Sequence, residues 1–184
     1  MKVDDLFDLL EAARRLCGHT EYVVIGSLSV LGVSDVTAIP KDMTLSIDAD
    51  CYTRADPGRA LALQQALGEG GAYHLAHGIY FDPVNPHLPT LPPGWEARMV
   101  RQERAGLIAW FLEPHDAAVS KLARGEARDL RWVRAGLRAG ILSRSALALA
   151  LRRTTFLDAD EQERAVSGLE QADGKRASRD RGTT

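Results

Sequence analysis

Residues 43–52, MTLSIDADCY, place Asp48 and Asp50 in one short, otherwise apolar and β-prone segment. Side chains alternate along a strand, so both carboxylates leave it on the same face, with Ser46 beside them. At this spacing the two Cα atoms are roughly 6–7 Å apart. Like charges so close raise each other's pKa, and burying both without a partner is costly. Either the strand is a solvated edge or a cation lies between the acids. Hard oxygen ligands favour Mg²⁺, which stays largely hydrated and completes its shell with substrate phosphates.

One strand upstream, EYVVIGSLSVLG (residues 21–32) begins with a β-branched run and breaks at Gly26-Ser27 before a short helix. Glycine permits a tight turn and close backbone approach, and the helix start that follows offers unpaired N–H groups to an anion. Taken alone, a Gly-Ser turn is a common structural device and an Asp-x-Asp a common solvated edge. The two together, with Asp48 following Gly26 by 22 positions, point to phosphate and metal. Downstream, DAAVSKLARGEARDLRWV (residues 116–133) sets Lys121 and Asp129 eight residues apart on a helical pattern. Lys121 suits a triphosphate as a point charge, and Asp129 suits orienting that lysine or acting as a base.

The Gly-Ser turn followed by an Asp-x-Asp strand resembles the nucleotidyltransferase (polymerase β-like) superfamily. The downstream D…KL.RGEARDL.W pattern looks like the minimal AbiEii/MenT toxin class, and the resemblance covers roughly residues 20 to 135. It implies a small mixed β-sheet flanked by helices, an NTP substrate with Mg²⁺, and nucleotidyl transfer with release of pyrophosphate. Carried over residue by residue, Gly26, Ser27 and Lys121 would bind the nucleotide and Asp48 and Asp50 the metal. Asp48, Asp50, Lys121 and Asp129 would form the catalytic set. Larger members often add a third carboxylate on a later strand, where this chain offers Glu96 or Glu103; Asp129 is the substitute that the minimal class suggests. The same resemblance makes an antitoxin protein a candidate partner.

At 184 residues, with 45% hydrophobic and 26% charged side chains, the chain has the balance of one globular domain, and its order of expected strands followed by helices suggests an α/β (α+β) fold. Residues 1–157 read as the nucleotidyltransferase-like domain, helical from about 114, and residues 158–184 as a polar, partly disordered tail. The net charge of −2 hides an asymmetry: residues 121–153 hold nine basic side chains against Glu126 and Asp129, an excess of seven positive charges. Such an excess attracts phosphates, and together with the toxin-class resemblance it makes tRNA or another RNA a candidate acceptor; the rival reading is a solvated arginine-rich face. Cys17 and Cys51 form no CxxC unit, the acidic start MKVDDLFDLL is unlike a signal peptide, and no run of ~20 apolar residues suggests a membrane span. These features predict a cytoplasmic protein.

Helices are expected over VDDLFDLLEAARRLC, with Gly18 as its cap, and over DPGRALALQQALGEG, HDAAVSKLARGEARDLRWVRAGLRAG (broken near Gly125) and SRSALALALRRT. MTLSIDADCY reads as a strand, AYHLAHGIYFDPV as a strand pair or one bent strand, and EARMVRQERAGLIAWFLEP as a hairpin turning at Ala105-Gly106. The proline-rich NPHLPTLPPGW reads as a stiff surface loop. On a strand His74 and His77 would point apart, which argues against a paired metal site there. Two rival functions fit the same residues: a catalytically silent nucleotide-binding or protein-interaction module, and an enzyme that modifies a small molecule or a protein.

Overall fold

The computed structural model describes residues 1–33 and 38–174. In chain order they form α1 (Val3–Cys17), β1 (Glu21–Val24), a 3-10 helix (Gly26–Gly32), the single turn α2 (Lys41–Thr44) and β2 (Asp48–Thr53). A second 3-10 helix (Pro57–Leu63) runs into α3 (Gln64–Leu67), followed by α4 (Ala72–His77), β3 (Tyr80–Pro83) and a third 3-10 helix (Trp95–Arg98). The hairpin β4 (Val100–Arg104) and β5 (Leu107–Phe111) then leads to four helices: α5 (Pro114–Arg124), α6 (Ala127–Arg138), α7 (Arg144–Arg153) and α8 (Ala159–Ala172).

The strands form one mixed sheet in the order β3-β2-β1-β5-β4. β1 runs parallel to β5 and antiparallel to β2, and β2 runs parallel to β3. This is the mixed sheet with flanking helices that the sequence predicts. Alternation then separates two faces. Tyr22, Val24, Ala49, Cys51, Phe81, Ala109 and Phe111 are buried on one of them. α1 and the 57–67 helical segment pack there, with Leu6, Leu9, Leu10 and Ala13 at helical spacing and fully buried. The other face carries Val23, Tyr52 and Trp110, and also Asp48 and Asp50.

Several boundaries differ from the sequence reading. The strand of MTLSIDADCY starts only at Asp48, because Pro40 opens the turn α2 and draws Met43 into the core. The predicted helix at Pro57 is largely 3-10 in geometry. Ala72–His77 is helical, bounded by Gly71 and by Gly78 at φ 71°, and only Tyr80–Pro83 is a strand. His74 and His77 therefore share a helix, where their rings lie against Tyr80 and Tyr73 respectively. The hairpin turns where expected: Ala105 and Gly106 both have positive φ, the geometry of a two-residue turn matched to strand twist.

The largest difference lies beyond Leu157. Residues 159–172, expected within a polar tail, form α8, whose start is capped by the Asp158 carboxylate accepting the Glu161 N–H at 2.7 Å. Glu161, Ala165, Gly168, Leu169 and Ala172 are its buried stripe, at spacings of one, two and three turns. Gly168 allows a close approach: a Cβ there would stand 3.2 Å from the side chains of Leu122 on α5 and Leu130 on α6. The remainder of that predicted tail, residues 175–184, lies outside the described residues. No helix among the described residues is long and apolar enough to cross a membrane, and Cys17 and Cys51 are free thiols.

Candidate active site

β1 ends against β2 in a way that brings its glycine to the carboxylates. The Ile25 N–H donates to the Asp50 carbonyl at 2.9 Å, and the chain then turns at Gly26 with φ +67°. A methyl group at Gly26 would overlap the Asp50 carboxylate, so close approach and left-handed backbone both require glycine here. The 3-10 helix that follows is fastened from three sides. Ser29 donates its hydroxyl proton to the Gly26 carbonyl at 2.8 Å, and the Trp132 indole N–H donates to the carbonyls of Ser27 and Met43, each at 3.1 Å.

Lys121 reaches the same turn from α5. Its ammonium donates to Ser27 Oγ at 2.9 Å and to Asp129 at 3.4 Å, and lies 5.1 Å from the centre of the Trp132 ring. Asp129 is 1% exposed and also accepts two hydrogen bonds from Arg124, at 2.7 and 2.6 Å. Burial lowers the Lys121 pKa, opposed by the charge of Asp129. For Asp129 burial acts upward, and the hydrogen bonds from Arg124 with the charge of Lys121 outweigh it, holding the carboxyl below its usual range. Gly125, at φ 73°, ends α5 so that α6 can return Asp129 beside Lys121. The structure thus joins Gly26, Ser27, Asp50, Lys121 and Asp129, with Asp129 paired to both cations.

The third carboxylate is Asp82. β2 and β3 pair in parallel with Asp50 opposite Asp82 and Asp48 opposite Tyr80. Registered residues face the same way, and Asp48, Asp50 and Asp82 each offer an oxygen within 4.8 Å of the others. Ser46 donates its hydroxyl proton to Asp48 at 2.7 Å, steadying the one acid that begins the strand. Burial, reinforced by the charges of Asp48 and Asp82, pushes the Asp50 pKa up to about 7. Asp82 is raised as well, first by burial and then by Asp48 and Glu69. Asp50 and Asp82, both raised, together with the oxygen that Asp48 offers beside them, are a donor set that a hard divalent cation relieves, so the residues fit an ion such as Mg²⁺.

The candidates Glu96 and Glu103 do not supply this acid. Glu103 is on β4, the edge strand opposite β3, and Glu96 lies in the third 3-10 helix. IYFDPV sets one acid on a β-prone segment, as SIDADC sets two, and that is the signal the sequence holds for Asp82. Its meaning depends on β3 pairing with β2. Tyr52, two residues past Asp50, is buried in packing. The proline-rich loop reaches the site: Leu88, Pro89 and Thr90 line a cavity of about 440 Å³ that also touches Gly26, Asp50 and Lys121.

A family model described as "Nucleotidyltransferase of unknown function (DUF6036)" matches residues 4–171, from the start of α1 through nearly all of α8. No curated protein and no solved structure matches the chain.

Proposed function

Because the chain belongs to the nucleotidyltransferase family DUF6036, we propose that it is a Mg²⁺-dependent enzyme that transfers a nucleotidyl group from an NTP to an acceptor hydroxyl. The observation that carries this reading is the convergence of Asp48, Asp50 and Asp82 beside a glycine turn whose serine is held by a buried lysine. Asp48, Asp50 and Asp82 would hold the metal, which supplies charge neutralisation at the α-phosphate and on the departing pyrophosphate. Ser27 and Lys121 bind the β- and γ-phosphates. Asp129 fixes the direction of Lys121, so its donors are in place before the nucleotide arrives.

In the transfer step the acceptor oxygen attacks the α-phosphorus and forms a new phosphoester bond. The bond from that phosphorus to the bridging oxygen of the β-phosphate breaks, and pyrophosphate carries away the electron pair. Asp82, on the edge strand, accepts the proton of the attacking hydroxyl. Most of the acceleration comes from alignment and fixed charge, because the protein makes no covalent bond to the phosphoryl group.

RNA, tRNA in particular, is the acceptor this reading favours. Arg128, Arg131 and Arg138 are exposed along α6, and Arg152 and Arg153 at the end of α7. The AbiEii/MenT resemblance adds a toxin role with an antitoxin partner to the proposal. The test is incubation with each α-labelled NTP, Mg²⁺ and total RNA, beside Asp48→Ala, Asp50→Ala and Asp82→Ala variants. Label on RNA that disappears in all three variants is the expected result. Transfer undiminished by Asp82→Ala would remove that residue from the reacting set. Absence of both transfer and Mg²⁺-dependent NTP binding in the wild type would overturn the enzyme reading.

A further inference from the structure

The sheet face that carries Asp48 and Asp50 continues along β2 to Tyr52, roughly 6–7 Å further on, with Val23 of β1 registered beside it. Between this stretch and the proline-rich loop lies a second cavity, of about 450 Å³. Val23, Tyr52 and Arg54 line it from the sheet, and His87, Leu91 and Trp95 from the loop and the third 3-10 helix. Pro89 lines both this cavity and the one beside Asp50 and Lys121, so the loop divides two neighbouring spaces. The loop is tied down at two points. The buried Glu161 accepts the Thr90 hydroxyl at 2.8 Å, and Arg98 donates to the Pro93 carbonyl at 3.1 Å.

The aromatic rings around this second cavity hold polar atoms that the protein does not use. Trp110 and Trp132 donate their indole N–H groups to Glu21 and to backbone carbonyls, whereas Trp95 donates to nothing among the described residues. The exposed His87 ring also lacks a partner there; only its backbone N–H is engaged, by Asn85. The Tyr52 ring is packed, but its hydroxyl makes no hydrogen bond among the described residues. No buried side-chain atom among them is orphaned, so that hydroxyl opens into the cavity. Burial and then the charge of Glu96 push its pKa up to about 12, so near neutral pH it keeps its proton to donate. A phosphate here would meet one cation, Arg54, already held by Glu21 at 3.0 Å. A plain phenyl ring would leave the polar atoms unmatched, whereas a nucleobase has both a face to stack and a polar edge. We propose, resting on the nucleotidyltransferase reading above, that this cavity receives an unpaired base at the end of a single-stranded RNA acceptor, stacked on Trp95 and hydrogen-bonded by Tyr52 and His87. Tyr52 is one strand repeat from Asp50, so the sugar of such a base is brought toward the metal. The acceptor's end thereby gains a site independent of the arginines on α6 and α7.

The experiment measures binding of a short labelled single-stranded RNA of mixed sequence, of a blunt RNA duplex, and of each Mg·NTP. It uses the full chain, Trp95→Ala and Tyr52→Phe, each checked by thermal melting. Tyr52→Phe keeps the packed ring and removes only the hydroxyl, so it carries the test alone if Trp95→Ala does not fold. The expected loss of single-strand affinity is about tenfold for Trp95→Ala and about threefold for Tyr52→Phe. Mg·NTP affinity should stay within about twofold, and the slope of log affinity against log salt should not change, because no phosphate contact is lost. Unchanged single-strand affinity in the folded variants would overturn the inference. So would an equal loss on the blunt duplex, whose paired bases cannot enter the cavity. A wild type that binds Mg·NTP but not the RNA would overturn the inference and leave the nucleotidyltransferase reading standing. Failure to bind Mg·NTP would overturn that reading itself.

Discussion

Three side chains show how the site depends on single atoms. Gly26→Ala puts a Cβ into the Asp50 carboxylate at a backbone conformation that costs an L-residue about 1–2 kcal/mol. A lower melting temperature and loss of NTP binding, read by calorimetry, are expected together. Asp50 titrates at about 7 in the metal-free protein, raised above its ordinary value by burial and by Asp48 and Asp82. The folded chain therefore holds that proton more tightly than the unfolded one, so this contribution to stability is full at low pH and fades as pH rises through 7. Melting temperature without metal should fall between about pH 4 and 7 and level off above, Asp50→Asn should flatten the decline, and Mg²⁺ should stabilise more at pH 8 than at pH 6. A metal-free protein with a flat profile would contradict the raised pKa. At Asp129, exchange for Asn leaves Lys121 buried beside an uncompensated site and should cost about 3 kcal/mol or more in denaturant unfolding. In that background Lys121→Met should cost much less than it does in the wild type, because the two side chains act as a pair.

At the scale of elements, α8 is the segment whose loss should be felt furthest from where it lies. Its small buried residues, Ala165, Gly168 and Ala172, fill the space beside α5 and α6, and Leu169 anchors them. Ending the chain after Leu157 would expose Leu122 and Leu130 and release Thr90 from Glu161. Lowered melting temperature and a raised KM for NTP are expected, and a truncated chain with wild-type stability would show that α8 adds nothing to the core. Thr90→Val is milder. It keeps α8 and removes one hydrogen bond, so KM should rise with little change in melting temperature. α5 is secured at its other end by the Arg98–Asp116 pair, two hydrogen bonds of 2.9 Å each, which also ties the third 3-10 helix to it.

Over the whole molecule, three carboxylates meet at the β2–β3 end of the sheet, and a group of exposed arginines lies on α6 and α7. Arg131 and Arg138 are exposed and make no ion pair among the described residues. If they bind a single-stranded acceptor, their joint change to Ala should reduce the slope of log affinity against log salt by about 1.4, at ~0.7 for each phosphate no longer neutralised. An unchanged slope would move the acceptor to another surface.

What the sequence determined by itself was local. The two-residue period of a strand put Asp48 and Asp50 on one face, helical spacing marked α1, α5, α6 and α7, and Gly18, Gly125 and Ala105-Gly106 marked where elements end or turn. The Gly-Ser turn and the Asp-x-Asp strand were legible because neighbouring residues impose them. Tertiary structure decided the rest. Asp82 entered the site only through parallel pairing of β3 with β2, a pairing no local period encodes; strand order left Glu103 out, and Glu96 lies on a 3-10 helix. α8 read as a polar tail because alanine and glycine give little hydrophobic signal, and their burial depends on how closely α5 and α6 let them approach. Asp129 pairs with both Lys121 and Arg124 because the turn at Gly125 folds it back beside them, a distance in space that eight residues of sequence do not specify.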